Sequence, residues 1–117
     1  MPAVRAVIDT NIWVSSMLNP FGFPTRLRKA FEEGDFSVVI SAPMLEELSD
    51  VLNRPKIKDK FKIEYEDISA LLLLLEDLAE DVWTSGNVTI CRDKDDYFVI
   101  ETAVKGRAEY LVTRDDD

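Results

Sequence analysis

Two carboxylates in this 117-residue chain stand just after apolar runs, a position from which they could take part in chemistry. Asp9 directly follows residues 4–8, and Asp115 closely follows residues 108–112. The first run is rich in β-branched residues, and both runs are too short for a typical helix, which predicts buried strands. Because the carboxyl ends of parallel strands border the crevice where ligands bind, an acid there serves as a helix cap, a metal ligand or a catalytic group.

Two further acids are predicted to approach the same edge from helices. Glu47 falls in the second turn of a helix predicted over residues 42–53 and borders its apolar stripe, whereas Glu46 points away. Asp96 opens a helix predicted to end at residue 104 or 105 and is in line with its apolar positions, whereas Asp95 points further from that face. The candidates for one shared site are therefore Asp9, Glu47, Asp96 and Asp115.

Four converging carboxylates repel one another unless they are protonated or neutralised by cations. A site made of oxygen ligands, without histidine or thiolate, suits Mg²⁺ or Mn²⁺. Such an ion lowers the pKa of bound water and stabilises the charge that develops in a phosphodiester displacement. The joint pattern therefore indicates metal-assisted phosphodiester hydrolysis.

Each acid taken alone also has a simpler interpretation. Asp9 could cap a helix, and Glu47 could be an ordinary solvated side chain. Asp96 could interact with the dipole at a helix N-terminus, and Asp115 could belong to an acidic chain end. The catalytic interpretation depends on all four reaching one edge of the sheet.

Composition narrows the class of protein. The chain is 46% hydrophobic and 32% charged, which is typical of one folded domain of this length. The absence of histidine excludes Ser-His-Asp and Cys-His catalysis and the common zinc sites. A net charge of -9 argues against a broad basic footprint for nucleic acid. The single cysteine rules out an internal disulfide, and no signal-peptide or membrane-spanning pattern occurs, so a cytoplasmic location is expected.

Apolar runs and helical periodicity alternate along the chain. Five consecutive leucines within the fourth predicted helix suggest its burial on more than one side. The alternation predicts an α/β fold with a parallel sheet covered on both faces. The predicted strands cover residues 4–8, 36–40, 82–84, 88–90 and 108–112, and the predicted helices cover residues 12–18, 26–33, 42–53, 64–81 and a segment ending at 104 or 105.

Four segments together resemble the PIN domain family, and within it the VapC-type toxins of toxin–antitoxin pairs. They are residues 7–11 (VIDTN), 41–48 (SAPMLEEL), 91–96 (CRDKDD) and 110–115 (YLVTRD). The resemblance covers nearly the whole chain as a single domain, 1–117. It implies a three-layer α/β/α sandwich with a central parallel sheet, Mg²⁺- or Mn²⁺-dependent cleavage of RNA, a cognate antitoxin protein and a homodimer.

Carried over by position, the resemblance implies that Asp9, Glu47, Asp96 and Asp115 are both catalytic and metal-binding. Thr10, Asn11 and Thr113 would be supporting polar groups. Two departures from the family pattern stand out: Arg114 replaces a usual glycine, and the chain stops at Asp117, where the family continues into another strand. Either the chain is truncated at its C-terminus or the natural protein is short, and the edge strand left open could then pair with another molecule.

The leading hypothesis is a metal-dependent endoribonuclease toxin. The alternative is a catalytically impaired PIN-like module that acts through protein–protein or RNA binding. A haloacid-dehalogenase-type phosphatase fits less well because Asn11 stands where that class needs a second aspartate. A response-regulator receiver also fits less well because the first strand supplies one acid only.

Contacts to RNA are expected from outside the metal crevice. Cations for phosphate contacts are Arg26, Arg28 and Lys29, or those of residues 56–62. Aromatic side chains that could stack on bases or on an antitoxin peptide are Trp13, Phe21 and Phe23, with burial in the core or in a dimer contact as the alternative.

Overall fold

A parallel sheet at the centre of the molecule positions the candidate site. The computed structural model describes residues 4–84 and 94–113, with the backbone alone for residues 94–98, and within that part of the chain the sheet has four strands in the order β3-β2-β1-β4. Every neighbouring pair is parallel. The strands are β1 (Arg5–Ile8), β2 (Ser37–Ile40), β3 (Glu80–Asp81) and β4 (Tyr110–Val112).

Helices connect the strands and cover both faces of the sheet. The first two crossovers step in one direction, from β1 to β2 and on to β3, whereas α6 leads back across the sheet to β4. Since such crossovers are right-handed, α6 lies on the face opposite the other helices. The predicted α/β/α layers are confirmed. The helices are α1 (Thr10–Leu18), α2 (Phe23–Glu32), α3 (Ala42–Leu52), α4 (Pro55–Lys58), α5 (Tyr65–Leu78) and α6 (Lys94–Lys105).

The two central strands are buried because helices cover both of their faces. In β1 and in β2 the last three residues of each strand are buried, which explains the unbroken apolar runs. Ala6 pairs with Val38 on one side and with Tyr110 on the other. These strands therefore bring the ends of β1 and β4 side by side.

The core beneath α1 settles the role of one aromatic residue. Trp13 is buried, and its ring packs edge-on against Phe31 with the centroids 5.8 Å apart. A side chain held there cannot stack on a nucleobase. Of the two interpretations for Trp13, core packing is the one that the structure supports.

The region around α5 differs from the sequence prediction. The helix ends at Leu78, and Glu80 and Asp81 form the edge strand that pairs with β2. Residues 82–84 lie outside any strand, and the strand predicted over residues 88–90 lies outside the described residues. The expectation that the leucine run is buried on more than one side is wrong for Leu73, which is 56% exposed. This face of α5 has no neighbouring element within the described chain to cover it.

A side chain from β1 joins three elements at the amino edge of the sheet. Arg5 donates from Nε to the carbonyl of Gly106 at 2.9 Å and forms an ion pair with Glu80 of β3. That arrangement ties the end of α6 to β1, so α6 is held in a defined place relative to the sheet. Among the described helices, none combines the length and apolar character needed to cross a membrane.

Candidate active site

Asp9 occupies the carboxyl end of β1, at the centre of the sheet edge. Its backbone N–H donates to the carbonyl of Val112 at 2.9 Å, which continues the β1–β4 pairing by one residue. Its carboxylate Oδ2 accepts a hydrogen bond from the hydroxyl of Thr113 at 3.1 Å. These two residues are 104 positions apart in the chain. Parallel pairing of β1 with β4 therefore brings together two of the polar residues that were predicted to share the site.

Asp9 is the residue before α1, yet its side chain does not cap that helix. The carboxylate turns instead toward Thr113, so the simplest structural explanation for an acid at this position does not apply. Among the described residues, no lysine or arginine forms an ion pair with it. A half-buried carboxylate in that setting is suited to bind a cation.

The Asp9 carboxylate borders a small cleft beside α6. The cleft has a volume of about 210 Å³ and is lined by Asp9, Val99, Ile100, Leu111 and Thr113. Asp96 is three and four residues before the two α6 positions in this lining, which is one helical turn. Its side chain is outside the described part of the structure, as is the whole of Asp115. The convergence of these two acids on Asp9 remains a prediction.

Glu47 is half-buried on α3, whereas its neighbour Glu46 is exposed, as the helical periodicity predicts. The helix begins directly after β2, at the same sheet edge as Asp9. Ser41 is the residue before its first turn, but the Ser41 hydroxyl makes no capping bond. Instead it accepts a hydrogen bond of 2.7 Å from the hydroxyl of Thr102 on α6, and both side chains are fully buried. The helices that carry Glu47 and Asp96 are thus joined by a buried hydrogen bond.

The two polar residues after Asp9 have different environments. Thr10 is buried, and within the described chain its hydroxyl has no hydrogen-bond partner. Asn11 is exposed on the first turn of α1. Thr113, the third predicted supporting residue, is the one that contacts Asp9 directly.

One buried acid of α6 was missed by sequence reasoning. Glu101 of α6 is only 1% exposed and forms an ion pair of 3.0 Å with Lys105, one turn later. The Lys105 ammonium also lies 4.4 Å from the ring centroid of Trp83. The Glu-x-x-x-Lys spacing was the available signal, because residues four apart on a helix are neighbours. A lysine of the same helix neutralises this carboxylate, so we assign Glu101 to the internal structure of α6 and not to the candidate metal site.

The chemistry of the described donors agrees with a hard divalent cation. Asp9 offers carboxylate oxygen at a sheet edge, and oxygen is the ligand type that Mg²⁺ and Mn²⁺ prefer. Among the described side chains, which are those of residues 4–84 and 99–113, no three acidic or thiol groups come together as a metal site. The other predicted ligands are Glu47, which is half-buried on α3, and Asp96 and Asp115, whose side chains lie outside the described part of the structure.

The fold and this edge define a class of protein in which an acid follows the first strand of a parallel α/β/α sheet. The chain belongs to the PIN domain family, whose sequence profile matches residues 5–117. It is also similar to an uncharacterized protein of Methanocaldococcus jannaschii, MJ1680, with 27% identity over 114 residues, which is 97% of this chain and 72% of that protein. PIN domains are generally nucleases that use divalent metals, so family membership indicates a nuclease, which is a hydrolase.

Proposed function

We propose that this protein is a Mg²⁺- or Mn²⁺-dependent endoribonuclease that acts as the toxin of a toxin–antitoxin pair. The observation that carries the proposal is the Asp9 carboxylate, which accepts from Thr113 at the carboxyl edge of the sheet instead of capping α1. Family membership adds the reaction class. The toxin role rests on the resemblance of the four sequence segments to VapC-type proteins.

The proposal gives the residues distinct roles. Asp9, Glu47, Asp96 and Asp115 would hold the metal. Thr113 orients Asp9 by donating to Oδ2, which leaves Oδ1 for the cation. When bound, a divalent ion supplies an activated water and stabilises the charge on the phosphoryl oxygens. Thr113 is therefore a positioning residue whose loss should weaken metal binding.

Cleavage of a single-stranded RNA in Mn²⁺ tests the enzymatic part. We expect Asp9→Asn to lower the rate by at least about 100-fold, the order found when one group that stabilises transition-state charge is removed. Thr113→Val should raise the Mn²⁺ concentration needed for half-maximal rate by about 10- to 100-fold. Equal, metal-independent cleavage by the wild type and Asp9→Asn would refute the nuclease and favour the binding module.

Metal binding can be followed without any activity. Mn²⁺ should raise the melting temperature of the wild type, because a ligand at 100 times its Kd stabilises the folded state by about 2.7 kcal/mol. Asp9→Asn and Glu47→Gln should lose this shift. Glu46→Gln is the matched control, since it removes one charge from the exposed neighbouring position of the same helix. An identical loss in Glu46→Gln would show that net charge, and not a defined site, governs the shift.

The biological part has a separate test. Induced expression of the wild type should arrest bacterial growth, and expression of Asp9→Asn should not. Co-expression of the cognate antitoxin should restore growth. Active enzyme that leaves growth unchanged would overturn the toxin role while keeping the ribonuclease.

A further inference from the structure

A second cavity adjoins the Asp9 cleft along the carboxyl edge of the sheet. It has a volume of about 390 Å³ and is lined in part by Ile12, Asn19, Phe23, Pro24 and Thr113. Thr113 also lines the smaller cleft and donates to Asp9. The two spaces therefore meet at this threonine, so a molecule with its reacting group at Asp9 would extend an adjacent group into the larger cavity.

Hydrogen bonds hold the loop between α1 and α2 that forms one wall of this cavity. The Asn19 side-chain oxygen accepts from the backbone N–H of Phe21 at 3.0 Å. The Thr25 hydroxyl bonds to the carbonyl of Ser16 at 3.1 Å and also to that of Asn19. A β-carbon added at Gly22 would come within 3.1 Å of the Asn19 side chain. The wall is thus shaped by specific contacts and is preorganised for binding.

Exposed aromatic rings mark the same loop. Phe21 is 88% exposed, and Phe23, which lines the cavity, is 52% exposed. Phenylalanine is among the residues most often buried, so two open rings in one loop need an explanation. The Phe23 ring supplies a flat apolar surface beside polar groups of Asn19, Ser15 and Thr113. That combination matches a nucleobase, which has an apolar face and a polar edge.

The size and the local charge agree with this ligand. The volume lies toward the lower end of the ~300–1,000 Å³ usual for small-ligand sites, as one base with its sugar requires. Arg26 follows Phe23 by three residues on α2, is exposed, and makes no ion pair within the described chain. Its guanidinium is available to a phosphate next to the bound base.

We propose that this cavity is a nucleobase subsite in which one unpaired base of the RNA, next to the cleaved phosphodiester, stacks on Phe23. The subsite rests on the proposed ribonuclease function and adds a specificity-determining contact: the RNA must present an unstacked base beside the cleaved bond. A base inside a duplex is paired and stacked, so it cannot enter. Thr113 then serves both spaces, orienting Asp9 and bordering the base.

The test removes either partner of the proposed stacking contact: the Phe23 ring from the protein, or the base from the RNA. Phe23→Ala should raise the Kd and KM for a short single-stranded RNA by about 5- to 100-fold, the factor expected for one lost base–aromatic stack. An RNA with an abasic position beside the cleaved bond should bind the wild type more weakly by a similar factor. Phe23→Ala should bind this abasic RNA as well as the wild type does, because the same contact is already absent.

Two variants keep the result interpretable. Phe23→Leu retains apolar bulk for the fold but loses the aromatic face, and should also weaken binding. Tyr65→Ala is the matched control, since Tyr65 is 68% exposed at the start of α5, away from the cavity lining, and should leave Kd and KM unchanged. Equal effects of Tyr65→Ala and Phe23→Ala would overturn the subsite, because any exposed ring would then serve.

Binding by fluorescence anisotropy and cleavage are measured separately. The subsite is refuted, and the nuclease stands, if the wild type cleaves RNA but neither Phe23→Ala nor the abasic RNA changes Kd or KM. The nuclease is refuted, and the subsite stands, if Phe23→Ala and the abasic RNA both weaken binding but the wild type does not cleave RNA in Mn²⁺.

Discussion

Gly106 lies where the end of α6 meets the central sheet, and replacing it with alanine should strongly destabilise the protein. A β-carbon at this position would lie 2.2 Å from Cγ1 of Val39 and 3.0 Å from the carbonyl oxygen of Thr102. Val39 is fully buried in β2. Gly106 does not have a left-handed backbone, so close approach is what requires glycine here.

The magnitude follows from the size of the overlap. Carbon atoms in contact are normally about 3.5–4.0 Å apart, so the helix end and the strand must separate by roughly 1 Å or more. Overpacking of this kind costs about 1–3 kcal/mol, and occasionally more. We expect Gly106→Ala to lower the free energy of unfolding by about 3 kcal/mol. For a chain of this length that corresponds to a decrease in Tm of roughly 8–15 °C.

Urea unfolding followed by circular dichroism, combined with a double-mutant cycle, tests the cause. Val39→Ala removes the overlapping Cγ1, and alone it should cost about 1.5–3 kcal/mol through lost burial and a small cavity. The double variant should be at least about 1 kcal/mol more stable than the sum of the single effects predicts. Additive effects would refute the assignment of the clash to Val39.

Gly34→Ala is the control for backbone conformation. Gly34 has a φ of +81° and no atom within 4 Å of an added β-carbon, so its replacement introduces strain without overlap. The expected cost is about 1–2 kcal/mol. If Gly106→Ala is no more destabilising than this control, tight packing at the end of α6 is not what Gly106 provides.

Two further predictions concern polar contacts between elements. Thr102→Val should lower the free energy of unfolding by about 1–3 kcal/mol, because the buried Ser41 hydroxyl loses its donor; a loss below about 0.5 kcal/mol in urea unfolding would contradict it. The hydrogen bond from Arg5 holds the pKa of Glu80 below its ordinary value of 4.5. A lowered pKa in the folded state stabilises it above pH 4.5, and this stabilisation is lost as the pH falls below that value. Glu80 is half exposed, so its ion pair contributes under about 1 kcal/mol to the free energy of unfolding. Between pH 5 and pH 3 the free energy of unfolding should therefore fall less in Glu80→Gln than in the wild type, by up to this amount. Superimposable pH profiles of the two proteins would contradict this.

Local sequence patterns were sufficient for the order and type of most elements. Both central strands are continuous apolar runs, and such runs are recognisable because both faces are covered. The predicted ends of helices were less accurate where contacts with neighbouring elements decide where a helix begins or ends. The helix predicted to start at residue 26 begins at Phe23, with Pro24 tolerated in its first turn. The helix predicted to reach residue 81 ends at Leu78, because residues 80–81 gain hydrogen bonds by pairing with β2.

For the candidate site, too, the sequence identified residues but not their contacts. Position and spacing selected Asp9 and separated Glu47 from the exposed Glu46, and the family resemblance added Thr113. Spacing could not reveal that the Asp9 side chain does not cap α1, nor that the Ser41 hydroxyl accepts a hydrogen bond from Thr102 of α6. A short polar side chain can form a hydrogen bond with its own backbone or with a neighbouring element. Which of these bonds forms depends on the elements that pack nearby.

By itself, then, the amino-acid sequence determined a parallel α/β domain with acids after its strands, because burial and periodicity act over a few neighbouring residues. Tertiary structure alone decided which distant groups meet: Thr113 contacts Asp9, and Thr102 contacts Ser41. These pairs join residues 104 and 61 positions apart. Such contacts form only when the strands are aligned and α6 is packed across them, and no local pattern encodes that alignment.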